Sequence, residues 1–156
     1  MSDTETYFNL MIESQRLAKL FFFSLERDLI SKNLDCNAMQ AISVYLIKNN
    51  GGVNVPQNDI QQSLRHISSN GSYTFSALAK NGYIISTCGT KNSKGGSSDK
   101  RRAFLTLTDK GNLLYDEICD YAKSQIVEME DSIWDKRGYK RHMDNLDSLI
   151  SFLRVE

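Results

Sequence analysis

A mainly α (α+β) fold, with long helices at both ends and one small β-hairpin in the middle, is what this chain predicts. Three observations carry that expectation. Apolar residues recur at helical spacing over 5–31 and again over 109–132 and 139–154. Two short β-rich runs, Tyr83–Thr87 and Ala103–Leu107, bracket a connection rich in Gly, Ser and Lys. The remaining middle segments are short and amphipathic, and Asn, Gly and Pro residues separate them.

The first helix, 5–31, places Leu10, Met11, Leu17, Leu20, Phe21, Leu25 and Leu29 at spacings of three, four and seven. The run Phe21-Phe22-Phe23 extends its apolar surface beyond one stripe, so part of it is expected to face a second subunit. A plain core helix is the competing expectation. A second helix fits 36–49, with Asp35 or Asn37 near its start, Asn49-Asn50-Gly51-Gly52 at its end, and Ala38, Ile42, Tyr45 and Leu46 as its buried face. Val53–Val55 reads as a very short strand, and Pro56 as the first turn of a helix through about Leu64 with Ile60 and Leu64 inward.

Ser68-Ser69-Asn70 offers N-cap side chains for a helix to Lys80, which Asn81-Gly82 closes. Ile67, Gly71, Phe75 and Leu78 form its core face. Its other face shows Ser69, Asn70, Ser72, Tyr73, Ser76, Ala77 and Lys80: short hydrogen-bonding residues, one aromatic and no acid. Such a face suits base edges and phosphates in a major groove; a poorly optimised solvent surface is the plainer alternative. The hairpin follows, with a long, mobile tip. Thr108 then caps a helix from Asp109 to about Ser132, with Leu113, Leu114, Ile118, Ala122, Ile126 and Met129 inward. The last helix offers Tyr139, Met143, Leu146, Leu149, Ile150 and Leu153. Helix, helix, short strand, helix, helix, hairpin, helix, helix is the order of a winged helix-turn-helix over 36–107. Extra terminal helices, 5–31 and 109–154, flank it within a single domain, 1–156.

Charge is unevenly spread. The 156 residues hold 19 Lys/Arg and 19 Asp/Glu, a formal net charge of zero. Yet residues 89–102 carry Lys91, Lys94, Lys100, Arg101 and Arg102 against Asp99 alone, a local +4. Residues 109–135 carry eight acids and two lysines, a local −6. Within a Debye length of about 8–10 Å the local field outweighs the net charge, so a basic hairpin beside an acidic helix would orient the molecule on a polyanion. A solvated surface hairpin is the bland reading of the same lysines.

The remaining composition narrows the function classes. No stretch reaches the roughly 18–20 apolar residues that span a bilayer, and the start, MSDTETYF, lacks the apolar core of a signal peptide. Cys36, Cys88 and Cys119 are odd in number and outside any CxxC pair, which fits a reducing cytoplasm rather than a disulfide framework. His66 and His142 have no ligand partners at zinc spacing. No GxSxG, HExxH, phosphate-loop or GxGxxG pattern is present. No enzyme, metal or cofactor is therefore expected.

With that order in place, the sequence resembles the MarR family of bacterial transcription regulators. Asp99-Lys100-Arg101-Arg102, followed by Leu107-Thr108-Asp109-Lys110-Gly111, resembles the family's D-x-R wing signature running into L-T-x-K-G. Ser69-Asn70-Gly71-Ser72-Tyr73, then Leu78 and Gly82-Tyr83-Ile84, matches its recognition helix, in a spelling similar to the LdtR-type subgroup. These motifs lie within 66–111; the flanking helices match in length and character. The wing is a few residues longer than usual. Tyr73-Thr74 stands where an arginine is common, so an arginine-to-guanine contact is not implied.

The resemblance implies a homodimer, joined through the terminal helices, that reads a palindrome in double-stranded DNA with half-sites roughly 34–36 Å apart. Arg101 matches the wing arginine that enters the minor groove, and Asp99 its orienting partner. Lys91, Lys94, Lys100 and Arg102 would contact phosphates, and Ser69, Asn70, Ser72, Tyr73, Thr74 and Ala77 the major groove. Asn70 is the leading candidate for a base contact, because a carboxamide bonds adenine bidentately. A small aromatic effector is also implied, in a cleft that Phe21, Phe22, Tyr45, Tyr115 and Trp134 would line if they are not ordinary core. Oxidant sensing by Cys36 is disfavoured, since Asp35 and Asn37 bring no cation to it. A protein-interaction module on the same scaffold is the alternative function. It predicts DNA affinity indifferent to alanine at Lys100 and Arg101.

Overall fold

The computed structural model describes residues 3–64, 71–88, 103–132, 141 and 144. Its elements, in order, are α1 (Asp3–Ser31), α2 (Ala38–Asn49), β1 (Val55–Pro56), α3 (Gln57–Leu64), α4 (Gly71–Lys80), β2 (Ile84–Cys88), β3 (Ala103–Leu107) and α5 (Asp109–Ser132). The terminal helix expected over 139–154 lies outside the described residues, apart from the helical positions Arg141 and Asp144. The chain divides into two compact units, Met1–Ile118 and Cys119–Glu156.

Local chemistry explains where the elements begin. Asn37 accepts from the Gln40 N–H while the Gln40 side chain accepts from the Asn37 N–H, both at 2.9 Å. This capping box starts α2 at Ala38. Thr108 Oγ1 accepts from Gly111 N at 3.1 Å and so caps α5 where expected. Pro56 pairs with Phe104 as the last residue of β1, and α3 begins one residue later than the sequence suggested. Proline is tolerated there because β1 is an edge strand. The sheet order is β1-β3-β2, antiparallel throughout, with Val55 opposite Leu105 and Ile84 opposite Leu107.

The core of the first unit collects Leu25 and Leu29 of α1, Ala41, Val44 and Ile47 of α2, Ile60 and Leu64 of α3, and Phe75 and Leu78 of α4. Leu105 and Leu107 of β3 and Leu114 and Ile118 of α5 belong to it, as do Val55, Tyr83 and Ile84. Two expected faces are rotated. In α2 the buried line is Ala38, Ala41, Val44 and Ile47, at a strict spacing of three, while Tyr45 is 42% exposed. There Tyr45 stacks on Tyr115 at 6.0 Å between ring centroids. In α5, Leu114 and Ile118 point inward, so Leu113, about 100° away around the helix, is 67% exposed. Ala122 and Ile126 are likewise exposed, and the side chain of Met129 lies outside the described residues.

Candidate nucleic-acid interface

Helix α4 packs on the core through Phe75 and Leu78, both buried as expected. Thr74, expected to face the groove, is instead buried: at 5% exposure it lies on the inward side with Phe75 and faces no groove. Its compact, β-branched side chain suits that buried position, with one hydroxyl to satisfy. Tyr73 projects outward at 75% exposure, Ser76 is exposed, and Ala77 is half-buried. Ser72 stands in the first turn of α4, but its side chain lies outside the described residues. Ser69 and Asn70 precede the helix and also lie outside them. So do Lys91, Lys94, Asp99, Lys100, Arg101 and Arg102 of the wing. What is described of the wing is its root, strands β2 and β3 paired from Ile84–Leu107 to Cys88–Ala103.

Tyr73, Ala77 and Lys80 share one face of α4, at spacings of four and three. They form one wall of a cleft of about 550 Å³. Glu26 and Ile30 of α1, Leu34–Asn37 of the α1–α2 connection, Gln40 of α2 and Asn81 make up the rest. The aromatics expected to line an effector cleft are placed elsewhere. Tyr45 and Tyr115 stack on each other, Phe21 is exposed, Phe22 is half-buried away from this cleft, and Trp134 lies outside the described residues. Among the described residues, Tyr73 is the one aromatic in the lining. The sequence pattern held no signal for the cleft, because its walls come from three helices and a connection whose separation only packing determines.

The end of the cleft is electrostatically distinct. Burial, reinforced by the Asp35 carboxylate, pushes the Cys36 thiol up to about 11, against the smaller downward pull of Lys110 and of a hydrogen bond from Tyr83. Lys110 is a cation that the sequence neighbours of Cys36 did not reveal, yet it is outweighed. Burial also raises the Tyr83 hydroxyl, as do the nearby Cys36 and Asp35. Lys110 Nζ lies 4.3 Å from the centroid of the Tyr83 ring. Among the described residues no group of three or more His, Cys, Asp or Glu is placed to hold a metal ion. No helix there is long and apolar enough to cross a membrane.

No family model and no curated protein matches the sequence significantly. Solved structures do match the fold. Streptococcus pneumoniae FabT in complex with DNA superposes with a TM-score of 0.68 at 18% identity, covering 94% of this chain and 96% of that one. The Staphylococcus aureus MepR–DNA complex gives 0.71 at 16% identity, covering 98% of this chain and 100% of that one. Staphylococcus aureus MarR in complex with salicylate and kanamycin gives 0.68 at 23% identity, covering 96% and 91%. At these identities the likeness speaks to architecture: the chain has the winged-helix fold of MarR-type transcriptional regulators.

Proposed function

We propose that this protein is a homodimeric, sequence-specific DNA-binding transcription regulator of the MarR type, and that it acts in the bacterial cytoplasm. The observation that carries the reading is one juxtaposition. A helix presenting Tyr73 and Ser76 outward leads, through Asn81-Gly82, directly into a hairpin whose connection holds five cations and one acid. That pairs a groove-reading helix with a cationic arm for the adjacent minor groove and phosphates. The S-N-x-S-Y spelling of residues 69–73 supports placing it with the LdtR-type subgroup. Two of the structures it resembles were solved on DNA, which supports the same reading.

Dimerisation is assigned to the terminal helices. Phe8, Ile12 and Phe23 are all at least half exposed and fall within about 60° of one another around α1. Residues 109–154 supply the partner helices. Single exposed apolar residues are ordinary, but a run of them along one long helix marks an interface. The cleft against α4 is assigned to a small aromatic effector. A molecule there would touch Tyr73 and Ala77, on the helix that reads DNA.

The test is selection from a random duplex library, followed by titration of the recovered palindrome at several salt concentrations. Affinity should fall with salt in proportion to the phosphates contacted. Scrambled DNA should bind at least about a thousandfold more weakly. Equal affinity for scrambled DNA contradicts the proposal.

A further inference from the structure

The C-terminal end of α4 is held by contacts that the reading above does not use. It closes on a glycine turn: Tyr83 N donates to Leu78 O at 2.9 Å and Gly82 N to Ala79 O at 3.1 Å, with Gly82 at φ +76°. Two side chains tie Asn81, inside that turn, to separate parts of the molecule. Asn81 Nδ2 donates to the Asp35 carbonyl at 2.9 Å, joining the turn to the α1–α2 connection. Lys110 Nζ donates to the Asn81 carbonyl at 2.8 Å while lying over the Tyr83 ring, joining it to the first turn of α5. Strand β2 starts at Ile84, directly after Tyr83. The direction of this turn therefore sets how α4 and the wing root are aimed together.

We propose that Asn81 is a positioning residue for DNA binding: its side chain latches the C-terminal end of the recognition helix to the α1–α2 connection, beside the main-chain carbonyl that Lys110 of α5 holds. The inference rests on the DNA-binding reading above. Asn81 sits at the far end of α4 from the groove candidates 69–73, and it acts by holding the helix in its binding orientation. A protein whose competent orientation is only partly populated loses apparent affinity by that fraction. Asp35 and Asn81 both line the cleft, so a molecule there would meet this hydrogen bond as well as Tyr73 and Ala77.

The experiment compares full-length wild type, Asn81→Ala, Lys110→Met and the double variant, by amide hydrogen exchange without DNA and by DNA titration across salt. In Asn81→Ala the amides of residues 81–83 should exchange at least about threefold faster while those of 41–47 keep wild-type rates. DNA affinity should drop roughly three- to tenfold with the salt slope unchanged, because no phosphate contact is lost. The double variant should weaken binding by less than the product of the two singles. Wild-type exchange at 81–83, exchange raised uniformly along the chain, or wild-type affinity in Asn81→Ala would each overturn the proposal. If the wild type binds no DNA, the regulator reading fails, and the positioning claim fails with it even where exchange at 81–83 is faster.

Discussion

Two glycines at the root of the wing serve different physical ends. A Cβ at Gly111 would fall on the Tyr83 carbonyl oxygen, with Leu107 Cδ2 also only 3.2 Å away. Gly111→Ala therefore forces the start of α5 off the turn that closes α4, and should cost at least about 2 kcal/mol by denaturant titration. A Cβ at Gly82 meets nothing within 4 Å, but φ is +76°. Gly82→Ala should cost about 1–2 kcal/mol, purely as backbone strain. The two variants together separate packing from conformation. The final glycine of the L-T-x-K-G motif thus marks a close approach of two segments, which sequence alone could not distinguish from a turn.

Cys36 gives a second test at this scale. Its thiol lies well above the ordinary range, at about 11, first because of burial and then because of Asp35. At pH 8 iodoacetamide should alkylate it at least about tenfold more slowly in the folded protein than in urea, as its thiolate fraction is lower. The raised value also has a stability consequence. Between pH 9 and 11 the folded state holds a proton that the unfolded thiol has released, so stability should fall as pH rises through that window. Cys36→Ser should flatten that part of the profile. A fast-reacting Cys36 would restore the oxidant-sensing role that its surroundings argue against.

At the scale of elements, much was legible. Capping and breaker residues located both ends of α2, the start of α3, the end of α4 and the start of α5 to within a residue or two, because Asn37, Thr108 and Gly82 act on the backbone beside them. Which face of each helix turns inward was less legible. Leu113 reads as core by hydropathy and is exposed, and Thr74 reads as polar surface and is buried. Both depend on what packs opposite, which periodicity does not encode. The wing strands were readable from β-branched content. The cleft, built from α1, the α1–α2 connection, α2 and α4, was not.

On the dimer proposed above, the exposed face of α1 would form the interface. Phe23 stands exposed within a hollow that Ile12, Arg16 and Leu20 also line. Phe23→Glu would place a charge into that surface on dimerisation, where it has no partner. Sedimentation should show a shift from dimer to monomer at micromolar concentration, with the helical circular dichroism of the subunit retained. An unchanged dimer would move the interface elsewhere.

For the whole molecule, zero net charge conceals a division of labour. The +4 segment at 89–102 and the −6 segment at 109–135 follow one another in the chain. If the chain binds DNA as proposed, the attraction would come from a small number of cations, and the acidic helix would discourage binding in other orientations. On the regulator reading, Lys91, Lys94, Lys100 and Arg102 of two subunits would bound the salt dependence at about eight phosphates per dimer, a slope of roughly −7 in log affinity against log salt. The measurement that tests the central claim most directly is titration of the selected palindrome with wild type and Arg101→Ala across a salt series. The regulator account predicts that Arg101→Ala loses about 1–3 kcal/mol of binding at every salt concentration while remaining dimeric. Undiminished affinity in Arg101→Ala, or wild-type binding that ignores sequence and salt, would contradict it.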